Sequence, residues 1–308
     1  MITDLPDTTT KDISKQLVRL RNQTGAVALG RVMTLIIVVD EAEADAAVEA
    51  AVHASRQHPS RIIALVSGTA RGAGRLDAQV RVGNSAGGSE IVVLRMSGAL
   101  TKHGASVVTP LLAADTPIVA WWPGAAQDVA SSPIGRLARR RITDTSLAKD
   151  PRKALQRRRA EYADGDTDMA WARATRWRGL LATALDLPPF EPVTAVTVTG
   201  ASDSASTDLL AGWLAARLKC PVRRAKSAPG TGLVHVRMER KSGPIELDRP
   251  DRRNGTLTQP GQPTRRLDLT RPGTAESLAE ELSRLGADEV YREALVKGLP
   301  RVTNTRGR

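Results

Sequence analysis

The chain has 308 residues, 41% of them apolar, and a formal net charge of +12. That length suits two domains of roughly 150 residues each, and no apolar run approaches the ~20 residues that a membrane-spanning helix needs. A single cysteine, Cys220, excludes an internal disulfide, and with only four histidines the chain lacks the clustered ligands of a Cys/His zinc site.

From the N-terminus, Met1 to Thr10 carries Asp4 and Asp7 and no apolar stretch. It does not read as a signal peptide, and a cytoplasmic location is expected. A first helix is expected over Asp12–Asn22, with Ile13, Leu17 and Leu20 on one stripe and Thr10 or Asp12 as N-cap. The apolar run Arg31–Val39 reads as a strand buried on both faces. Helix signal over Glu41–Gln57 and a second strand at Arg61–Val66 complete a β-α-β unit with parallel strands.

Leu76–Val82 and Glu90–Met96 read as further strands, joined by the hairpin-like loop Gly83–Ser89. Helical character over Leu100–Ala113, interrupted by Pro110, precedes a buried strand at Pro117–Trp122. Arg136–Arg159 then holds ten Lys/Arg against two acids and reads as a basic connector. A long helix is expected over Asp168–Leu185, with a domain boundary near Gly165.

The second half repeats the pattern. A strand at Val193–Val198 leads into a helix over Thr207–Leu218, followed by short strands at Pro221–Arg224, Leu233–Met238, Ile245–Leu247 and Arg265–Leu269. Asn254–Pro263 reads as a turn. Helices at Ala275–Leu285 and Asp288–Leu299 close the chain, leaving a frayed basic tail from Pro300. The expected fold class is α/β: two α/β domains, 1–165 and 166–308, the first a mostly parallel mixed sheet flanked by helices.

Few residues form a catalytic pattern. Gly68–Gly74 follows a strand, but it matches neither G-x-G-x-x-G nor a P-loop. A plain loop outweighs a dinucleotide site there, although Arg71 and Arg75 could meet an anion. Gly200–Asp208 joins a strand to a helix, where free N–H groups attract anions. Ser204, Ser206 and Asp208 more simply supply caps, and Asp203 with Asp208 would repel a phosphate. The histidines His53, His58, His103 and His235 fall on separate elements without a nucleophile partner.

Of eight aromatic residues, five are Trp. Trp121 and Trp122 are adjacent on a strand and must face opposite ways. Core packing is the default for both, yet Trp122-Pro123-Gly124 ends its strand where α/β folds place sites. On the expected long helix, Trp171 and Trp177 lie six positions apart, about 120° between faces. One joins a core stripe with Ala174, Leu181 and Leu185. The other, taken as Trp177, shares its face with Arg173 as an interface anchor or an internal cation–π pair.

Several segments together resemble the OpcA family of glucose-6-phosphate dehydrogenase assembly proteins. These are Asp4–Thr10, Gly25–Val38, Leu76–Gly83, His103–Gly124, Arg140–Thr145, Gly165–Arg178 and Pro188–Leu218. The resemblance runs through nearly the whole chain in order and thins between Lys226 and Arg266. It implies a non-catalytic accessory protein that binds glucose-6-phosphate dehydrogenase and promotes its assembled, active state. No catalytic residue, cofactor or metal is expected.

On the matched segments, the partner-binding candidates are Trp121, Trp122, Arg140, Arg141, Asp144, Asp166, Trp171, Arg173, Trp177 and Arg178. The basic stretch reads as a solvated face or as a surface complementary to an acidic dehydrogenase, where charge speeds association and sets register. Nucleic acid is a weaker reading, since no aromatic residues interleave the arginines. A sugar-phosphate enzyme or sensor using the strand-end loops is the other alternative.

Overall fold

In chain order the elements are β1 (Ile2–Leu5), α1 (Thr10–Thr24), β2 (Met33–Asp40), α2 (Ala44–Ser55), β3 (Ser60–Ser67), β4 (Arg75–Val82) and β5 (Glu90–Ser97). Next come α3 (Gly104–Val108), β6 (Ile118–Trp121), α4 (Pro133–Leu137), β7 (Arg140–Thr143), α5 (Pro151–Ala160), β8 (Asp166–Asp168), α6 (Met169–Ala172) and α7 (Thr175–Leu185). The chain goes on through β9 (Ala195–Ala201), α8 (Ala205–Leu218), β10 (Val222–Ser227), β11 (Leu233–Glu239) and β12 (Ile245–Asp248). It closes with β13 (Asn254–Thr258), β14 (Arg265–Asp268), α9 (Thr274–Leu282), α10 (Glu289–Arg292) and β15 (Val302–Asn304).

These elements come from a computed structural model that describes residues 1–24, 32–83, 89–113, 116–124 and 126–304. The expected loop at Gly83–Ser89 falls largely outside them, as do Gly25–Arg31 and the tail beyond 304. The chain forms two compact units that interleave in sequence. One comprises Met1–Asp144, Ala163–Thr167 and Thr274–Ala287, the other Thr145–Tyr162, Asp168–Gly273 and Asp288–Arg308.

The first unit is built on a sheet of order β1-β4-β5-β3-β2-β6-β7-β8. The pairs β5-β3, β3-β2, β2-β6 and β6-β7 are parallel, whereas β4 and β1 add antiparallel edges. The run Leu35-Ile36-Ile37 in β2 is fully buried, as a strand covered on both faces requires. By contrast β4 alternates buried and part-exposed residues, the pattern of an antiparallel strand with one wet face. Strand β1, which the sequence pattern does not signal, pairs its four residues with β4 and forms the edge.

Helix α1 places Ile13, Leu17 and Leu20 in the core against Val80 and Leu94, as their spacing predicts. Its cap is Thr9 rather than Thr10 or Asp12: Thr9 Oγ1 accepts from the Asp12 N–H at 3.2 Å and donates to the Asp12 carboxylate at 2.7 Å. Leu100–Ala113 breaks into 3₁₀ turns around the five-residue α3. The basic stretch is no connector. It contains the fully buried strand β7 and the helix α5.

The second unit has a sheet of order β14-β13-β12-β11-β9-β10-β15, with β9, β10 and β15 parallel and the other pairs antiparallel. Its core joins Val198, Val236, Leu247 and Leu257 of the sheet to Leu210 and Leu214 of α8. Three expectations fail here. Asn254–Thr258 is a strand that includes Gly255, and the turn is confined to the Pro260, Gly261 and Pro263 stretch after it. The tail does not fray at once, since Val302 pairs with Val222. And the long helix divides at Arg173–Ala174, where the Ala174 N–H bonds to the carbonyl of Trp171 at 3.0 Å, three residues back.

Candidate functional site

In the first unit, Arg140 and Arg141 alternate on β7 and so reach opposite faces of the sheet. Arg140 donates to Glu281 Oε2 at 2.5 Å and to the Gly286 carbonyl at 2.7 Å. Thr167 Oγ1 donates to the same Glu281 oxygen at 2.9 Å. Arg141 pairs with Asp166 and donates to the carbonyls of Ala138, at 3.0 Å, and Asp164. Asp166 also accepts from the Ala163 N–H at 3.1 Å.

Gly165 turns the chain between these partners at φ +93°, and a Cβ there would lie 2.4 Å from the Arg139 carbonyl. Only glycine tolerates both conditions. Segments Arg140–Thr145 and Gly165–Asp168 thus supply complementary halves of one buried ionic latch. Asp144, fully buried, sits at the end of β7 and donates its N–H to the Gly124 carbonyl at 3.4 Å.

The order of strands reverses at β2, which has β3 on one side and β6 on the other. At this switch point the C-terminal strand ends border a cavity of about 260 Å³, lined by Asp40, Glu43, Ser67, Trp122, Pro123 and Gly124. Folds of this kind bind nucleotides there, on a glycine-rich turn. Here the turn after β2 reads Asp40-Glu41-Ala42-Glu43. Carboxylates at a helix start favour the helix dipole themselves and repel phosphate. Trp121, on the opposite face of β6, is wholly buried, and its indole N–H has no hydrogen-bond partner among the described residues.

The break between α6 and α7 reverses the roles expected of the two tryptophans. Trp177 joins Ala174 and Leu181 in the sheet core, with Arg249 Cζ 5.6 Å from its ring. Trp171 enters a second cluster with Leu155, Leu209 and Tyr291. Its Nε1 donates to Asp288 at 2.9 Å, and the Arg178 guanidinium lies 3.5 Å over its ring. Asp288 also caps α10 through the Tyr291 N–H at 2.9 Å. Arg173, also buried, donates to Ser146 at 3.3 Å and borders the same pocket as Trp177.

Nine of the ten candidate residues are therefore buried, and Arg178 is half-buried. The solvated-face reading fails at Arg140, Arg141 and Arg158, the last of which pairs with Glu161. It holds at Arg136, Arg139 and Arg159, which are exposed. The histidines stay apart: His103 is exposed in a turn, while His235 contacts Asp248 at 3.2 Å. Burial pushes the Cys220 thiol above its ordinary value, away from reactivity. Among the described residues no group of three His, Cys, Asp or Glu could hold a metal, and no helix is long and apolar enough to cross a membrane.

The start of α8 carries the cap expected there, and the arginines gathered around it are what the sequence does not show. Ser204 caps this helix by accepting from the Thr207 N–H at 3.3 Å. Asp208, in the first turn, is bound by the fully buried Arg224 at 3.0 Å and by Arg152 at 3.3 Å. Burial pushes the Asp208 carboxyl above the usual carboxylate range, against the opposing pull of both guanidiniums. Arg249 and Arg271 border the same helix start. No motif signals these arginines, and Arg249 lies in the stretch where the family resemblance thins.

These features define a two-unit α/β protein whose first sheet has the order of a nucleotide-binding fold without its phosphate-binding turn. The chain belongs to the OpcA glucose-6-phosphate dehydrogenase assembly family. The family's glucose-6-phosphate dehydrogenase subunit N-terminal domain matches residues 51–160, and its C-terminal domain matches residues 164–295. No curated protein matches the chain at a significant level.

Among solved structures, the chain is similar to an oxidoreductase from Sinorhizobium meliloti at 10% identity, over 88% of this chain and 96% of that one, with a TM-score of 0.44. It is also similar to the UDP-N-acetylglucosamine 3-dehydrogenase GnnA from Acidithiobacillus ferrooxidans (9% identity, 87% and 97% covered, TM-score 0.35). A third is a glucose-6-phosphate dehydrogenase in complex with glucose-6-phosphate (10% identity, 90% and 95% covered, TM-score 0.38).

Proposed function

We propose that this protein is a non-catalytic accessory factor that binds glucose-6-phosphate dehydrogenase in the cytoplasm and favours its assembled, active state. The observation that carries this reading is the family match, which extends through both halves of the chain. The acidic turn at the switch point supports it, because the place where a related fold would hold a cofactor phosphate carries Asp40 and Glu43 instead.

An accessory factor acts by binding one state of its target better than another, and the difference in affinity sets how far the equilibrium moves. Within this reading the buried candidates, from Trp121 to Trp177, act as the frame that shapes the docking surface. Arg178, half-buried over Trp171, is the candidate nearest solvent. Phe190, the sole phenylalanine and 78% exposed, joins it as a contact residue. Its loop is braced by Arg240, which donates to the Pro189 carbonyl at 3.0 Å. A loop whose backbone is already held loses less entropy on docking.

The test is the activity and elution size of the cognate dehydrogenase with and without this protein. Higher activity with co-elution is expected; no change in either property overturns the proposal. Phe190→Ser should weaken co-elution while leaving the fold intact.

A further inference from the structure

We propose that the N-terminal end of α8 is a binding pocket for a small phosphate dianion, either the free ion or a phosphomonoester. Four observations converge on it. The pocket is lined by Arg173, Arg249 and Arg271 together with Ser204, Ser206 and Trp177, so three guanidiniums meet two hydroxyl-bearing residues at the start of a 14-residue helix. Helix starts present N–H groups and positive potential to an anion.

The second observation is Arg249 itself. It is only 4% exposed, and its Nε has no hydrogen-bond partner among the described residues. Its remaining donors go to backbone carbonyls: Nη1 to Leu269 at 2.8 Å, and Nη2 to Thr231 at 3.2 Å and to Leu233. These bonds fix the guanidinium without supplying a counter-charge. Burial lowers the Arg249 pKa, and the like charges of Arg271 and Arg252 lower it further, with Asp251 opposing them. Charge buried in that state is stabilised when an anion arrives.

Third, the backbone makes room for the guanidinium. Gly232, at φ +68°, borders the pocket, and a Cβ there would stand 3.3 Å from Arg249 Nη2. Fourth, the nearby acids are already engaged. Asp208 is held by Arg224 and Arg152, and Asp203 is turned to the Gly230 N–H at 3.1 Å. The objection that these two carboxylates repel a phosphate therefore weakens.

The chemistry selects the ligand class. Guanidinium forks match the oxygens of a phosphate in pairs. The enclosed cavity is only about 10 Å³, too small for a nucleotide, so a phosphoryl group would dock at its open mouth with any organic part outside. The pocket stands independently of any action on a dehydrogenase, and its test needs only this chain.

The full-length protein is titrated with inorganic phosphate against chloride at constant ionic strength, following the thermal midpoint and the tryptophan fluorescence. A saturable rise in midpoint is expected, since a ligand that binds only the folded state stabilises it. Fluorescence should change at the same concentration, because Trp177 lines the pocket. Arg271→Gln, at an exposed position, should keep the fold and raise the half-saturating phosphate concentration at least tenfold. Arg249→Lys, which keeps one charge but loses the fork, should do the same.

A flat titration of the natural chain overturns the proposal. So does a curve that Arg271→Gln leaves unchanged, which would mark phosphate as a general salt effect. Glycerol 3-phosphate, run in parallel, separates the two sources: half-saturation tenfold below that of phosphate identifies an organic phosphomonoester, and equal values identify the free ion. Both of those results support the pocket.

Discussion

Buried arginines matched to a carboxylate, Arg140 and Arg141 in the first unit and Arg224 in the second, do different work from Arg249, and the groups that face them show the difference. In the first unit, Arg140 and Arg141 each have a carboxylate of their own, Glu281 and Asp166, and fill further donors with carbonyls. In the second unit, Arg249 hydrogen-bonds to carbonyls alone among the described residues, and the positive charges of Arg271 and Arg252 outweigh the opposing Asp251 beside it. A buried arginine with a matched carboxylate holds chain segments together. One fixed by carbonyls beside a pocket keeps a charge for something that comes from outside. The sequence shows the same residue type in both places, so composition cannot separate them.

The sharpest way to break this comparison is to remove one partner of a matched pair. Asp166→Ala leaves the Arg141 guanidinium buried without its carboxylate and should cost about 3–5 kcal/mol. Urea denaturation of the variant measures it. Replacing both members by apolar residues, Arg141→Met with Asp166→Leu, should cost clearly less, because no charge is then stranded. A loss under about 1 kcal/mol for the single variant would mean that water reaches the pair and the latch does not hold.

Arg249→Met should be milder. Three carbonyls lose a donor, at about 1–3 kcal/mol overall, but relief of an uncompensated charge offsets part of the loss. If it destabilised as strongly as Asp166→Ala, Arg249 would belong with the matched pairs. Trp171→Phe comes next. It removes the bond to Asp288 and weakens the Arg178 stack, and a loss of about 1–2 kcal/mol is expected from the two together.

How much of this was legible follows from where the partners lie. The runs of β2 and β3 and the stripe of α1 carry their own periodicity, so both were readable. The Arg140–Glu281 pair spans 141 residues, and no local pattern announces it. Arg140 and Arg141 therefore looked like part of a solvated basic stretch until Glu281 and Asp166 were placed opposite them. Trp177 was misassigned for a different reason: the 120° argument holds only along an unbroken helix, and the chain breaks at Arg173–Ala174. Strand β13 was hidden because Gly255 and Pro260 flank a Thr-Leu-Thr run too short to outweigh them.

A third arginine setting gives the smallest effect and completes the comparison. Arg75 and Asp77 form a matched pair in solvent, with Arg75 Nε and Nη2 donating to Asp77 Oδ1 at 3.0 and 2.8 Å. The same oxygen accepts from the Asp7 N–H at 2.8 Å and so ties the segment after β1 to β4. The Arg75 hydrogen bond first, then the Asp7 N–H, holds the Asp77 carboxyl below the usual carboxylate range. With its folded pKa depressed, the unfolded state binds the proton more readily. The stabilising contribution is therefore full above the ordinary value of about 4 and fades as pH falls through the depressed folded value. Both side chains are well exposed, so salt should shrink the effect. An NMR titration of the Asp77 carboxyl should give a midpoint below about 4, and Asp77→Asn should flatten the acid limb of β1 protection. A midpoint at or above that value would show that this pair, though matched like Arg141 and Asp166, contributes nothing once water surrounds it.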